Sequence, residues 1–431
     1  MKKKLCILLA LVLLVALAAC GSESSGTVSS PAAGSTAPSP AATVSTAPPA
    51  GGESAAPSAD TAPAATKEEL VREIIGNDVG VYPEFLNLVG GDIGYITDDV
   101  DHQARDTYRF ALVGNTSSAA TTNTFNGLVQ FSKYFNYEIE QSYSDNDNDK
   151  YITLMETYAL QGMNGFILNP DNNVFERVTE VADELEIPYI FILTPYRDAE
   201  GRNLVPCVGE DDYTDGKIVM NWLLDNYVDK LGDINMDDVG VLAIGWSVVK
   251  PFVIRAQAAE DIWNERCPGR EDQFHFIDTA AQDNPVTQEA SYNEVAAFVS
   301  AHPEYKYWII PSGAGLFANG AARALESLNV DENSLICSVG IEELINEWNA
   351  GYDGAWAACV SIKPNIYSMP MLAGLITLAD GRATPETLWQ EVRAEGDKAT
   401  YYVMETTVIT RDTYKDYGAA CDVLAAQFTV G

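Results

Sequence analysis

The sequence predicts an α/β protein whose parallel sheets are divided between two lobes. Short apolar runs recur along residues 67–431, stretches of amphipathic, helix-length sequence separate them, and no single uninterrupted sheet order accommodates all of the runs. The segment is also long enough for two domains of ordinary size.

The first run sets the pattern. In RFALVGNTSSAATTN, residues 109–123, Phe110 to Val113 is apolar throughout, as a parallel strand buried on both faces requires. The chain then breaks into Asn115, Thr116 and Ser117, small donors and acceptors just past a strand end, where open α/β sheets collect ligands. A solvated connection would look the same, so the rest of the chain has to decide. A helix at 125–134 leads to a strand at 137–141, a helix at 150–163 to a strand at 165–168, and a helix at 174–185 to strands at 189–193 and 204–208. The alternation then repeats: helix 216–230, strand 239–244, helix 252–266, strand 273–278, helix 292–302 and strand 308–310. Helix 315–328, strand 335–339, helix 342–350, strand 356–360, helix 365–380 and a closing strand at 403–409 complete the series.

The opening MKKKLCILLALVLLVALAACGSESSG is of another kind. Lys2 to Lys4 precede an apolar core, Leu5 to Ala16, too short to span a bilayer comfortably, which reads as an export signal over residues 1–19. LAAC followed by Gly21 resembles the lipobox of bacterial lipoproteins, with cleavage before Cys20 and lipid on its thiol. Residues 20–66 are almost wholly Ser, Ala, Pro, Thr and Gly and bury too little to offset the cost of ordering, so they read as a disordered tether. An extracytoplasmic protein anchored to the cell membrane is expected.

Composition removes several functions. The formal net charge is −36, or −39 once Lys2 to Lys4 are cleaved away, and no basic run occurs; nucleic acid is not an expected partner. The body keeps Cys207, Cys267, Cys337, Cys359 and Cys421, an odd set without close pairs that argues against a disulfide framework and leaves one long-range bridge open. The histidines are His102, His275 and His302; HExxH, CxxC, G-x-S-x-G and the P-loop pattern are all missing, and no metal or cofactor is expected. Pairs such as Asp211 and Asp212 read as solvated surface in so acidic a chain.

The later units carry a resemblance. MNGFILNPDNNVFERVTEVADELEIPYIFI looks like the third and fourth βα units of type I periplasmic sugar-binding proteins. HPEYKYWIIPSGAGLFANGAARALESLNV resembles a later unit, and LICSVGIEELINEWNAGYDGAWAACVSIKPNIYSMPMLAGLITLADG with YYVMETTVITRDTY resembles the closing section. The likeness covers about residues 107–420 and is nearest the arabinose-binding branch. It implies two Rossmann-like lobes joined by three hinge crossings, near Glu210–Thr214, Ile362–Pro364 and Tyr402–Glu405. The first lobe would be 107–212 with 363–402 and the second 213–362 with 403–431, after an added segment at 67–106.

The same resemblance implies a ligand-binding set. Arg255 falls where the family places an arginine at the start of the second lobe's first helix, and a planar fork suits neighbouring hydroxyls or a carboxylate; the alternative is an arginine satisfied at a helix terminus. Glu342 stands where sugar-binding members carry Asp or Asn, and would accept paired hydroxyl hydrogens or cap its helix. Trp246 would present its indole to a sugar ring or pack in the core. Asn115, Thr116, Ser117, Asn172, Thr194 and Ser312 complete the set. Departures from the family are plain. Ala120 and Thr121 replace an aromatic residue, Thr194, Pro195 and Tyr196 replace a common Asp, and Ala314 replaces an Asn, which points to a ligand larger or more polar than an ordinary sugar. The implied function is a monomeric, non-enzymatic solute receptor that passes a carbohydrate-like ligand to an ABC permease. The alternatives are a sensory receptor for a membrane kinase or a surface glycoside hydrolase using two carboxylates.

Overall fold

In the computed structural model, residues 100–117, 119–282, 285–361 and 364–430 are described. The export signal, the tether with Cys20, residues 67–99 of the added segment, and Ile362 and Lys363 of the second crossing lie outside them.

Two six-stranded sheets form the frame. The first holds β1 (Tyr108–Gly114), β2 (Tyr137–Tyr143), β3 (Gly165–Asn169), β4 (Tyr189–Ile192), β5 (Cys207–Gly209) and β11 (Tyr401–Val403), all parallel, in the order β11-β5-β4-β3-β1-β2. The second holds β6 (Val239–Gly245), β7 (Phe274–Asp278), β8 (Tyr307–Ser312), β9 (Ser334–Val339), β10 (Trp356–Ser361) and β12 (Thr407–Thr410), in the order β12-β10-β9-β8-β6-β7. Only β12 runs antiparallel to its neighbour. Each sheet therefore has a switch point, between β1 and β3 and between β6 and β8, outside whose carboxyl ends α/β folds place ligands. The fold class is that predicted from the sequence.

The helices follow from capping and pattern. Helices α1 (Ala119–Phe131), α2 (Asn148–Leu160) and α3 (Phe175–Glu184) cover the first sheet's units, and Asp147 caps α2 by accepting from the Asp149 and Lys150 amides at 2.9 Å. Asp211 caps α4 (Asp212–Leu231) in the same way, which starts that helix directly after β5. Then come α5 (Lys250–Arg266), α6 (Gln288–Ala301), α7 (Gly315–Leu328) and α8 (Glu342–Asn349). Helix α9 (Pro364–Ala379) returns to the first sheet as an almost wholly apolar rod, with Ile366, Tyr367, Met371, Leu372 and Leu375 buried. Among the described residues no helix is long and apolar enough to cross a membrane, and Cys207, Cys267, Cys337 and Cys359 are free thiols, three of them buried.

The chain passes between the sheets three times: from β5 into α4, from β10 into α9, and from β11 to β12. The third passage corrects the single closing strand expected at 403–409. It is two short strands in different sheets, and Met404 between them donates its amide to Gly209 of the first passage at 2.8 Å. A further correction concerns residues 403–431, which the sequence reading places wholly in the second lobe. Helix α10 (Tyr414–Val430) begins on that lobe, with Tyr414 against Trp348, but ends on the first, where Phe428 meets Phe131 and Phe135 at ring-centroid distances of 5.0 and 5.1 Å. The reason is its stripe of Tyr417, Ala420, Cys421, Ala425 and Phe428, spaced for one buried helical face. Part of the added segment is seen as well: Arg105 donates to the carbonyls of Phe135 and Asn136 at 2.7 and 2.8 Å and stacks on Tyr108, fastening the entry of β1.

Helices α4 and α5 approach closely at Gly216, where a Cβ would stand 2.3 Å from the Arg255 carbonyl oxygen and 2.9 Å from the Ala258 Cβ. Backbone on one side and a packed methyl on the other leave nothing free to yield. Gly216→Ala is therefore expected to cost about 1–3 kcal/mol by overpacking, read from urea unfolding; unchanged stability would mean that the two helices separate freely.

Candidate functional site

A cavity of about 380 Å³ lies where the carboxyl ends of the two sheets face each other, and residues of both lobes line it. The first lobe supplies Thr124 from α1, Asn169 from the end of β3, Leu193 and Thr194 just after β4, and Tyr367 from α9. From the second come Val249, Pro251, Phe252 and Arg255 at the start of α5, Ala314, Gly315 and Leu316 after β8, and Glu342 and Glu343 at the start of α8. Glu210 and Asp212 line it from the first passage.

Arg255 organises the charged side. Its Nε and Nη2 donate to Asp212 Oδ1 at 2.9 and 2.8 Å, Nη1 donates to the Gly313 carbonyl at 2.8 Å, and Glu210 Oε2 stands 3.6 Å from Nη2. Burial alone would lower its pKa, yet Asp212, Glu210 and Asp215 hold it above the usual value. Asp215, one helical turn behind, takes a hydrogen bond from Thr406 Oγ1 of the third passage, so the charged cluster ties the first and third crossings together.

The carboxylates are strained in the electrostatic sense. Burial, then the nearby Asp215, pushes the Glu210 carboxyl up to about 8 against the pull of Arg255. Burial raises Asp215 to about 6, and it raises Asp212 and Glu342 as well. Glu342 accepts the Ile341 amide on Oε2 at 3.1 Å. Glu343 reaches across to the first turn of α7, where a Cβ on Gly315 would lie 2.4 Å from its Oε2, so glycine is what lets that carboxylate approach the helix N-terminus. A carboxyl whose folded pKa exceeds its unfolded one stabilises most below the unfolded value and loses that contribution as pH rises through the folded value. For Glu210 the window runs from about 4.5 to about 8. The empty protein is expected to lose roughly 1–3 kcal/mol across it relative to Glu210→Gln, checked by urea midpoints at pH 5, 7 and 8.5; parallel curves would contradict the shift.

Of the residues singled out in the sequence, Thr194, Arg255 and Glu342 line this cavity. The others lie elsewhere. Asn115 donates its amide to Asn146 at 2.9 Å and accepts from Ser144, which fixes the loop after β1 rather than facing the cavity. Thr116 and Ser117 are exposed, and α1 begins at Ala119, earlier than expected, so Thr124 reaches the cavity in place of the loop. Asn172 is exposed at the start of a single turn after β3, and Asn169 lines the wall instead. Trp246 is half-buried against the core, while Phe252 faces the cavity and packs edge-on to Phe317. Ser312 is buried and spends its hydroxyl on the Ala314 carbonyl at 2.9 Å.

Two opposed switch points around one cavity describe a binding cleft, and the sequence comparison decides its kind: the model of the periplasmic binding protein domain matches residues 110–382, well over half of the chain. The chain belongs to the periplasmic binding protein family. That is a family of binding proteins rather than of enzymes. Solved structures share the fold at low identity. An ABC-transporter solute-binding protein of Actinobacillus succinogenes 130z with bound D-allose is 16% identical, with a TM-score of 0.55 over 72% of this chain and 99% of that one. One from Bacillus halodurans C-125 with bound myo-inositol is 12% identical, with a TM-score of 0.55 over 73% and 98%. The arabinose-binding protein of Shewanella sp. ANA-3 is 15% identical, with a TM-score of 0.54 over 72% and 95%. The fold likeness is thus equal across neighbours with different ligands. No curated protein sequence matches the chain.

In this periplasmic binding protein, Glu210 and Asp212 are the cleft residues that sequence reasoning missed. Asp212 follows Asp211 in the pair read as solvated surface, whereas burial and Arg255 claim it here. The signal was their position at the first crossing, one and three residues after a strand end, in a chain whose 62 acidic residues hide any single pair.

Proposed function

We propose that the protein is a lipid-anchored, extracytoplasmic solute receptor that captures a sugar-like polar ligand between its lobes and delivers it to an ABC permease. The cavity walled by both lobes carries this reading: a ligand that touches Asn169 and Thr194 on one side and Glu342 on the other favours the closed arrangement over the open one. Neighbours bound to D-allose and myo-inositol support a polyhydroxylated ligand, and the ABC-transporter setting of those proteins supports the permease as partner. LAAC and the tether after it support an anchor at Cys20. The arabinose branch is one member of this class, with no separate support from the fold.

Three readouts test the reading. In a thermal-shift panel of sugars, polyols, sugar acids and nucleosides, a hydroxylated ligand is expected to raise the melting temperature by mass action; a response to nucleosides alone would contradict it. Disrupting the gene should lower cellular uptake of that same ligand, and unchanged uptake would remove the transport role. Cys20→Ala should release the protein into the medium, and retention of that variant at the membrane would refute the anchor.

A further inference from the structure

The cleft holds more acidic groups than basic ones. Four carboxylates line it, Glu210, Asp212, Glu342 and Glu343, against the single guanidinium of Arg255, a formal balance of −3. Arg255 is already committed to Asp212 and the Gly313 carbonyl. Glu210 has no other side-chain partner among the described residues than that arginine, at 3.6 Å, too long for a hydrogen bond, while its carboxylate is more than four-fifths buried. Glu342 keeps one oxygen on a backbone amide. Burying carboxylates without donors is costly, and a ligand that supplies donors alone would leave the charge uncompensated.

The two walls differ. The first lobe offers neutral hydrogen-bonding groups, Thr124, Asn169 and Thr194, while the acidic groups come from the first passage and the second lobe. Between them lie apolar surfaces, Phe252, Leu193 and Leu316 among them, suited to the carbon face of a ring. Among the described residues no three metal-ligating side chains converge, so the carboxylates are spread around an organic-sized volume instead of focused on one ion.

We infer that the cleft selects a sugar-sized ligand bearing a cationic nitrogen, an aminated sugar or polyol, with its hydroxyls toward the first lobe and its ammonium toward Glu210, Glu342 and Glu343. The inference rests on the sugar-like reading above and adds the charge of the ligand. The ammonium supplies three N–H donors and the missing positive charge in one group. A sugar acid would add a further carboxylate to a cleft that already holds four carboxyl groups against one guanidinium, and is excluded.

The test uses matched triads on the whole chain by isothermal titration calorimetry: glucose, glucosamine and glucuronate; galactose, galactosamine and galacturonate; and mannose, mannosamine and mannuronate. In the triad that binds, the amine is expected to bind at least tenfold more tightly than the neutral sugar and the acid not at all, and added salt should weaken the amine alone. Glu210→Gln should then shrink the amine-to-neutral ratio by about tenfold, whereas a merely structural role for Glu210 would weaken both members equally. A neutral sugar that equals or exceeds its amine overturns the charge preference and leaves the sugar reading intact. If no member of any triad binds, the sugar reading falls and the inference with it.

Discussion

Arg255→Ala is expected to destabilise the empty protein by about 3–5 kcal/mol, the cost of leaving buried carboxylates without their cation. The family resemblance implies a part in ligand binding, with an arginine satisfied at a helix terminus as the alternative. The structure gives it a second duty: its guanidinium binds Asp212 through two nitrogens, holds the Gly313 carbonyl, stands 3.6 Å from Glu210, and its charge acts on Asp215 at the first passage between the lobes. Removing it leaves these groups to compete for protons, so the deficit should shrink at acid pH, where the carboxyls are neutral. Arg255→Lys keeps the charge but cannot span Asp212 and Gly313 together, and should fall between the two. Urea unfolding at pH 5 and pH 8 measures this, and an Arg255→Ala protein within about 0.5 kcal/mol of the parent would show that the cluster is solvated.

Phe428→Ala is expected to cost about 3–5 kcal/mol. The ring is buried against Phe131 and Phe135 of the first lobe, and helix α10, which carries it, starts on the second lobe with Tyr414 on Trp348 and its hydroxyl 3.1 Å from Asn349 Oδ1. Loss of the ring both empties a well-packed site and frees the end of a helix that touches both lobes. Phe428→Leu should recover much of the loss, because it keeps most of the apolar volume. Hydrogen exchange would localise the effect: amides of α10 should exchange faster in the alanine variant, and unchanged protection there would contradict the packing account.

The sequence makes the sheets legible because buried parallel strands write themselves as continuous apolar runs, as Phe110 to Val113 and Val239 to Ile244 do. The third passage is hidden by the same rule, since the strand-forming residues of 403–409 continue across a crossing that only long-range pairing reveals. Helix α10 was written in the sequence as the stripe from Tyr417 to Phe428, but a stripe does not say which lobe it will cover. At the cavity wall, Arg255, Glu342 and Thr194 were legible through the family resemblance, which implies ligand contacts at those positions. Asn115, Thr116 and Ser117 came from the strand-end rule instead, yet a strand end offers several loop residues and backbone geometry chooses among them. Glu210 and Asp212 depend on how the two lobes meet, a property that no local pattern carries.

A structure of the complex with the tightest-binding member of the triads tests the central claim most directly. The account predicts the ligand in the cavity between the lobes, its hydroxyls within hydrogen-bond reach of Asn169 and Thr194 and its nitrogen within about 3 Å of a carboxylate oxygen of Glu210, Glu342 or Glu343. A ligand seated on the outer face of either lobe, or in the cleft with its nitrogen turned away from all three carboxylates, would contradict it.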